Sequence, residues 1–168
     1  NYKLKFTIDA FINDQGVPDK FTNPSGVFAN AKEIFVCDTD ANRLVVFDID
    51  GNFEKILAKP SSALFGENSI YKPVAVAVDQ YDRIYVISST TYQGVIVLTS
   101  EGEFTGFIGA QNVVYSAWDI IWRNFQTAEQ RKATASYIPT EYNNITVDKE
   151  GFIYVTATAN STARQAQQ

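Results

Sequence analysis

Residues 24–57 read PSGVFANAKEIFVCDTDANRLVVFDIDGNFEKIL. Short runs rich in β-branched and aromatic residues alternate with polar punctuation: Val27-Phe28, Ile34 to Cys37, Arg43 to Asp48, and Phe53 to Leu57. Such residues suit a pleated, half-buried surface. The Asp50-Gly51 dipeptide between the last two runs is a tight hairpin turn. The stretch therefore predicts four antiparallel strands in succession.

The same order returns further on. Pro73-Val-Ala-Val-Ala-Val-Asp79 is followed by Ile84-Tyr85-Val86, Gly94 to Thr99, the Glu101-Gly102 turn and Phe104 to Ile108. A third copy opens at Tyr142-Asn-Asn-Ile-Thr-Val-Asp148 and reaches Ile153-Tyr154-Val155. The Ile anchors at 34, 84 and 153 are 50 and 69 residues apart. A four-stranded propeller blade takes about 40 to 50 residues, so the second step holds a blade plus an insertion. Two four-stranded units at one spacing predict an all-β fold, a partial β-propeller. Its repeats cover about 21–58, 71–109 and 142–158, within a domain of 1–158, and residues 159–168 are a polar tail. Alternation in Leu4-Lys5-Phe6-Thr7-Ile8-Asp9 fits the outermost strand of a preceding blade.

Pro24-Ser25-Gly26-Val27, Ile34-Phe35-Val36-Cys37-Asp38-Thr39, Asn42-Arg43-Leu44-Val45 and Asp50-Gly51 together resemble the NHL repeat. That family has a Pro-Gly-Val opening, a Tyr-Val-Ala-Asp-Ser/Thr strand, an Asn-Arg-Val strand and an Asp-Gly turn. The second repeat departs from the pattern, with Ser88 for the Asp and Tyr92-Gln93 for the Asn-Arg; the third has Ala157 for the Asp. The resemblance covers about residues 21 to 158. It implies a propeller of four-stranded NHL-type blades, in which Asp38, Asn42 and Arg43 fix the turn between two strands, the Asp and Arg pairing across it. It leaves function open, since members of the family differ widely. A blade cannot bury its faces without neighbours, so the remaining blades are expected from a longer parent chain or from another protomer. The sequence has no methionine, position 1 included, which points to a processed product or an excised segment.

The insertion, about residues 115–135, has a different period. Trp118, Ile121, Trp122 and Phe125 stand at i, i+3, i+4 and i+7, one apolar stripe on a short helix. Ser116 is a natural N-cap with Asp119 three residues on. The stripe either packs on the end of the propeller or stays exposed as a docking surface. Tryptophans are enriched in binding hot spots, which makes Trp118, Trp122 and Phe125, with Tyr92 of the degenerate turn, the candidate partner-binding residues.

Composition prunes the chemistry. The 168 residues hold no histidine, so no Ser-His-Asp triad and no imidazole metal ligand can form within the chain. The single cysteine, Cys37, lies in an apolar run and reads as a buried small hydrophobe. The net charge is −5, and the Lys and Arg residues are scattered. Nothing therefore favours a phosphate backbone, and nucleic acid is not an expected partner. No apolar run approaches the roughly 20 residues of a membrane helix, so no membrane insertion by this segment is expected.

Asp79, Asp82, Asp148 and Glu150 recur after the first strand of a blade. Carboxylates at a propeller end can hold calcium, but Asp in a short turn is more simply explained by local hydrogen bonding, so no cofactor is assigned. Asn144, Asp148 and Asp79 could be placed around a channel metal, as in lactonase-type propellers, but the first strand of the strongest repeat carries no carboxylate. The resulting expectation is a non-catalytic binding or scaffold module that engages a protein or a glycan. The alternative is part of a metal-dependent hydrolase or lyase completed by residues outside the chain. Asn144-Ile-Thr146 and Asn160-Ser-Thr162 match glycosylation sequons. They lean towards a secreted or bacterial-surface setting and leave the compartment open.

Overall fold

The computed structural model describes residues 3–62, 70–91, 94–109 and 142–157. Among these, all regular structure is β-strand. A short hairpin, β1 (Ala10–Ile12) and β2 (Pro18–Lys20), comes first. Strands β3 (Pro24–Ala29), β4 (Glu33–Asp38), β5 (Arg43–Asp48) and β6 (Phe53–Leu57) then form a four-stranded antiparallel sheet in sequential order. Strands β7 (Pro73–Val78), β8 (Ile84–Ser88), β9 (Val95–Leu98) and β10 (Phe104–Ile108) form a second. Strands β11 (Tyr142–Val147) and β12 (Ile153–Ala157) pair as the inner half of a third. The two four-stranded antiparallel sheets are the propeller-type architecture expected from the sequence. The helix expected over 115–135 lies outside the described residues.

Register makes the blades equivalent residue by residue. The last residue of each first strand faces its Ile anchor: Ala29 with Ile34, Val78 with Ile84, Val147 with Ile153. Each first strand also shifts register near its start, between Pro24 and Val27, Pro73 and Ala75, and Tyr142 and Asn144. Such bulges bend a strand and tighten its twist.

Because alternate side chains point to opposite faces, the Ile-aromatic-Val run of each blade serves two seams. Ile84 and Val86 join Phe35, Cys37, Leu44 and Val46 in the core between the first and second blades. Tyr85 and Ile87 join Ile145 in the core between the second and third. Fully burying one such side chain contributes roughly 1.5–3 kcal/mol, against about 0–1 kcal/mol for an exposed ion pair. The apolar seams therefore hold the blades together. The middle blade is covered on both sides, and β7 has no exposed residue. On the outer blades, Val27 of β3 is 70% exposed and Tyr154 of β12 is 55% exposed.

The innermost strands approach closely. A Cβ added at Gly26 of β3 would stand 2.4 Å from the Val74 carbonyl oxygen and 3.0 Å from Ala75 Cα of β7. The seam there is backbone against backbone, and only glycine fits it.

Residues 3–8 have no strand ladder, but they take the place of an outermost strand from a preceding blade. Lys5 Nζ donates to Ile49 O at 3.3 Å and pairs with Asp50 at 2.8 Å, at the β5–β6 turn. Lys55 on β6 does the same one blade later, reaching Ser100 O at 3.0 Å and Glu101 at 3.9 Å. A strand needs a hydrogen-bonded neighbour, and none of the described residues supplies one for 3–8. The β1–β2 hairpin covers the same flank, with Phe11 stacked on Phe53 and set edge-on against Phe47.

Candidate functional site

Antiparallel order sends the connections alternately to two ends of the blades. One end carries only short turns. Asn13, Asp48, Asp79, Thr99 and Asp148 each begin the same turn: the backbone N–H of this residue donates to the carbonyl four residues on, and its carbonyl accepts from the N–H three residues on. The side-chain oxygen caps the turn. Asp48 Oδ1 accepts from Asp50 and Asn52 N–H, Asp79 Oδ1 from Tyr81 and Arg83, and Asp148 Oδ1 from Glu150 and Phe152. The fourth residue has positive φ, and it is Gly16, Gly51, Gly102 or Gly151 in four turns and Asp82, at φ 60°, in the fifth.

The second carboxylate oxygen is engaged too. Asp79 Oδ2 accepts from the Tyr85 hydroxyl at 3.0 Å and from Arg83 at 2.7 Å; Asp148 Oδ2 accepts from the Tyr154 hydroxyl at 3.0 Å. Burial opposes ionisation of Asp79, but the N–H, guanidinium and hydroxyl donors outweigh it and hold the carboxyl below its usual range. Asp82 faces Lys32 at 3.5 Å, and Glu150 is exposed. Asn144 lies on β11 with its Oδ1 accepting from the Ile145 N–H. Among the described residues, no three His, Cys, Asp or Glu side chains come together as a metal-holding group.

The opposite end carries, among the described residues, 21–23, 39–42, 58–62, 70–72, 89–91, Gly94 and Gly109. Its centre is Asp38, fully buried at the end of β4. Asp38 Oδ1 accepts from the N–H groups of Thr22 and Asn23, and Oδ2 accepts from Arg43 Nε at 3.0 Å. Arg43 extends the chain of charge: its two terminal nitrogens donate to both oxygens of Asp19, at 2.7 and 3.1 Å, and one donates to Lys20 O. Its guanidinium also lies over the Phe11 ring. These hydrogen bonds lower the Asp19 carboxyl to about 2. Asn42, at φ 57°, closes the intervening turn by donating its N–H to Thr39 O. Ser88 holds the corresponding place in the second blade, where its hydroxyl accepts from the Lys72 N–H.

A second polar seam at this end joins the first two blades. The Thr39 hydroxyl donates to Pro73 O at 2.7 Å and meets the Ser25 hydroxyl at 2.6 Å. Lys72 pairs with Asp40 at 2.6 Å, and Asn23 donates to the same carboxylate. Cys37 lies beneath, and burial pushes its thiol up to about 12, so it is held as an unreactive thiol.

Gly109 and Tyr142, which flank the insertion, both lie at the link end. The Tyr142 hydroxyl donates to Gly109 O at 3.2 Å. Trp118, Trp122, Phe125 and Tyr92 themselves lie outside the described residues. Sequence reasoning missed Asp19, because its partner is 24 residues away, and Lys72. It also missed Tyr85 and Tyr154, whose recurrence six residues after Asp79 and Asp148 was the available signal.

The SBBP β-propeller repeat model matches residues 134–162. No curated protein matches the chain. Among solved structures, selenomethionine-substituted virginiamycin B lyase from Staphylococcus aureus is similar, with 13% identity over 91% of this chain, 49% of that chain and a TM-score of 0.46. The chain thus spans about half the length of that structure. The sheets and the repeat match define the class: an all-β fold, a partial β-propeller of four-stranded repeats. The matching repeat is of the SBBP type and does not single out NHL.

Proposed function

We propose that the chain is a non-catalytic binding module of a propeller, and that it recognises a protein or glycan partner through the link end. The observation that carries this reading is the contrast between the two ends. The turn end is built from short turns whose oxygens are consumed locally. The link end carries the residues that flank the longest sequence intervals between strands, 58–72 and 109–141, and loops held on a rigid scaffold are where binding residues concentrate. Its ionisable groups, Asp38, Arg43, Asp19, Asp40 and Lys72, are engaged with one another and with backbone. They build the platform, and recognition falls to the connections, above all to the insertion with Trp118 and Trp122 and to the link holding Tyr92.

The test is binding of the wild type and of Trp118→Ala/Trp122→Ala to an immobilised glycan array and to candidate protein partners, with circular dichroism on both. Loss of binding at unchanged fold supports the reading. Undiminished binding removes the insertion from it. A rise in melting temperature with calcium or zinc would favour the metal-dependent alternative, since a ligand that binds only the native state stabilises it.

A further inference from the structure

The apolar face of the first blade that looks away from the second is covered by something smaller than a blade. Equivalent cross-strand pairs line this face in both complete blades. They are Ile34 opposite Phe47 and Val36 opposite Val45 in the first, and Ile84 opposite Leu98 and Val86 opposite Ile96 in the second. On the second blade, Phe35, Cys37, Leu44, Val46 and Leu57, from three strands of the first, bury that face. On the first blade, Phe11, Phe21 and Ile8 take their place. The cover is equally dry at its centre: Val45 and Phe47 have no exposed surface, and neither have Ile96 and Leu98.

The β1–β2 hairpin that carries Phe11 pairs over only three residue pairs, and an isolated hairpin is marginally stable at best in water. Its order therefore comes from the face it covers. An aromatic plug and a charge clamp hold it there. Phe11 is stacked on Phe53 at 5.2 Å and set edge-on to Phe47 at 5.4 Å. Arg43 donates to both Asp19 oxygens and lies over the Phe11 ring at 5.7 Å, so one guanidinium serves plug and clamp together. Asp38 fixes the following residues through the Thr22 and Asn23 N–H groups. We propose that the β1–β2 hairpin is an intramolecular cap, which substitutes for a neighbouring blade and keeps this apolar face from pairing with a second copy of the chain. With Phe11 and Phe21 lifted away, Ile34, Val36, Val45, Phe47, Phe53 and Ile56 form one contiguous apolar surface, and surfaces of that kind associate. The cap is narrower than a blade. Val27 on β3 is 70% exposed, whereas its counterpart on β7, Val76, is 4% exposed under the first blade.

The test opens the cap in the full 168-residue chain. Phe11→Ser/Asp19→Ser removes plug and clamp together. Asp19→Ser alone cuts the clamp and leaves the apolar core whole, which keeps the test decisive where the double variant does not fold. Light-scattering mass over a concentration series, fluorescence of an apolar dye and circular dichroism are read on wild type and both variants. The expected result is a wild-type circular dichroism spectrum, a severalfold rise in dye fluorescence and a mass that climbs above the wild-type value with concentration, each smaller in the single variant. A synthetic peptide of residues 8–23 added in trans should return mass and dye signal towards wild type, and the same peptide carrying Phe11→Ser should not. Variants that keep the native spectrum with wild-type mass and dye signal overturn the proposal. So does association that the wild-type peptide fails to reverse.

Discussion

Arg43 Nε lies 3.0 Å from Oδ2 of Asp38, a carboxylate with no exposed surface. The pair ties β4 to β5 at the link end, and the same guanidinium reaches Asp19 on β2. Removing one partner of a buried ion pair leaves the other charge uncompensated, at a cost of about 3–5 kcal/mol. Arg43→Ala is expected to lose stability on that scale in urea unfolding. Arg43→Lys should lose less, because it keeps the charge but not the planar fork that serves two carboxylates.

Asp19 gives the acid limb of the stability curve. Its folded value of about 2 lies below the roughly 3.9 of an unfolded aspartate. A depressed carboxyl stabilises the fold fully above the unfolded value, and that stabilisation is lost as pH falls towards the folded one. Asp19→Asn should therefore be less stable than wild type at pH 7. The gap should close between about pH 4 and pH 2, as read by thermal melts in a pH series. A gap that is constant with pH would remove Asp19 from the acid response.

Gly26→Ala tests the seam between β3 and β7. A Cβ placed 2.4 Å from Val74 O cannot be accommodated without separating the inner strands. Overpacking of this kind costs about 1–3 kcal/mol. Ala75→Gly, at the equivalent bulge position of the second blade, should destabilise for the opposite reason, by exposing backbone and loosening a filled contact.

Asp82 is the one non-glycine in the φ-positive place of five equivalent turns. Left-handed backbone costs an L-residue roughly 1–2 kcal/mol, less for Asp than for most. Its ion pair with Lys32 is exposed and long, at 3.5 Å. Asp82→Gly should therefore raise the melting temperature slightly, in proportion to a gain of roughly 0.5 kcal/mol. A fall would mean that the ion pair outweighs the backbone strain.

The blades were legible in the sequence because strand and turn chemistry repeat at fixed spacing. Ile-aromatic-Val runs, Asp-Gly turns and Pro openings are local signals, and each is confined to a few residues. The Asp38–Arg43 link was open to the same kind of reading, as its members are five residues apart. The polar seam was not. Thr39 meets Pro73 and Lys72 meets Asp40 across more than thirty residues, and only the folded register of two blades brings them together. Ser88 shows a second limit. Its hydroxyl takes the place of a carboxylate by accepting one backbone N–H, a replacement that a pattern of residue types records only as a mismatch.

The hydrogen bond from the Tyr142 hydroxyl to Gly109 O has a use beyond this molecule. It joins Gly109 to Tyr142, the two described residues that flank 110–141, beside the apolar seam that packs β11 on the second blade. Lengthening a closed loop costs only about 0.6 kcal/mol for each doubling. Gly109 and Tyr142 thus mark a splice point: a reporter, an affinity tag or a foreign recognition peptide exchanged for 110–141 would be displayed from a mount that this bond and the β7–β11 packing define.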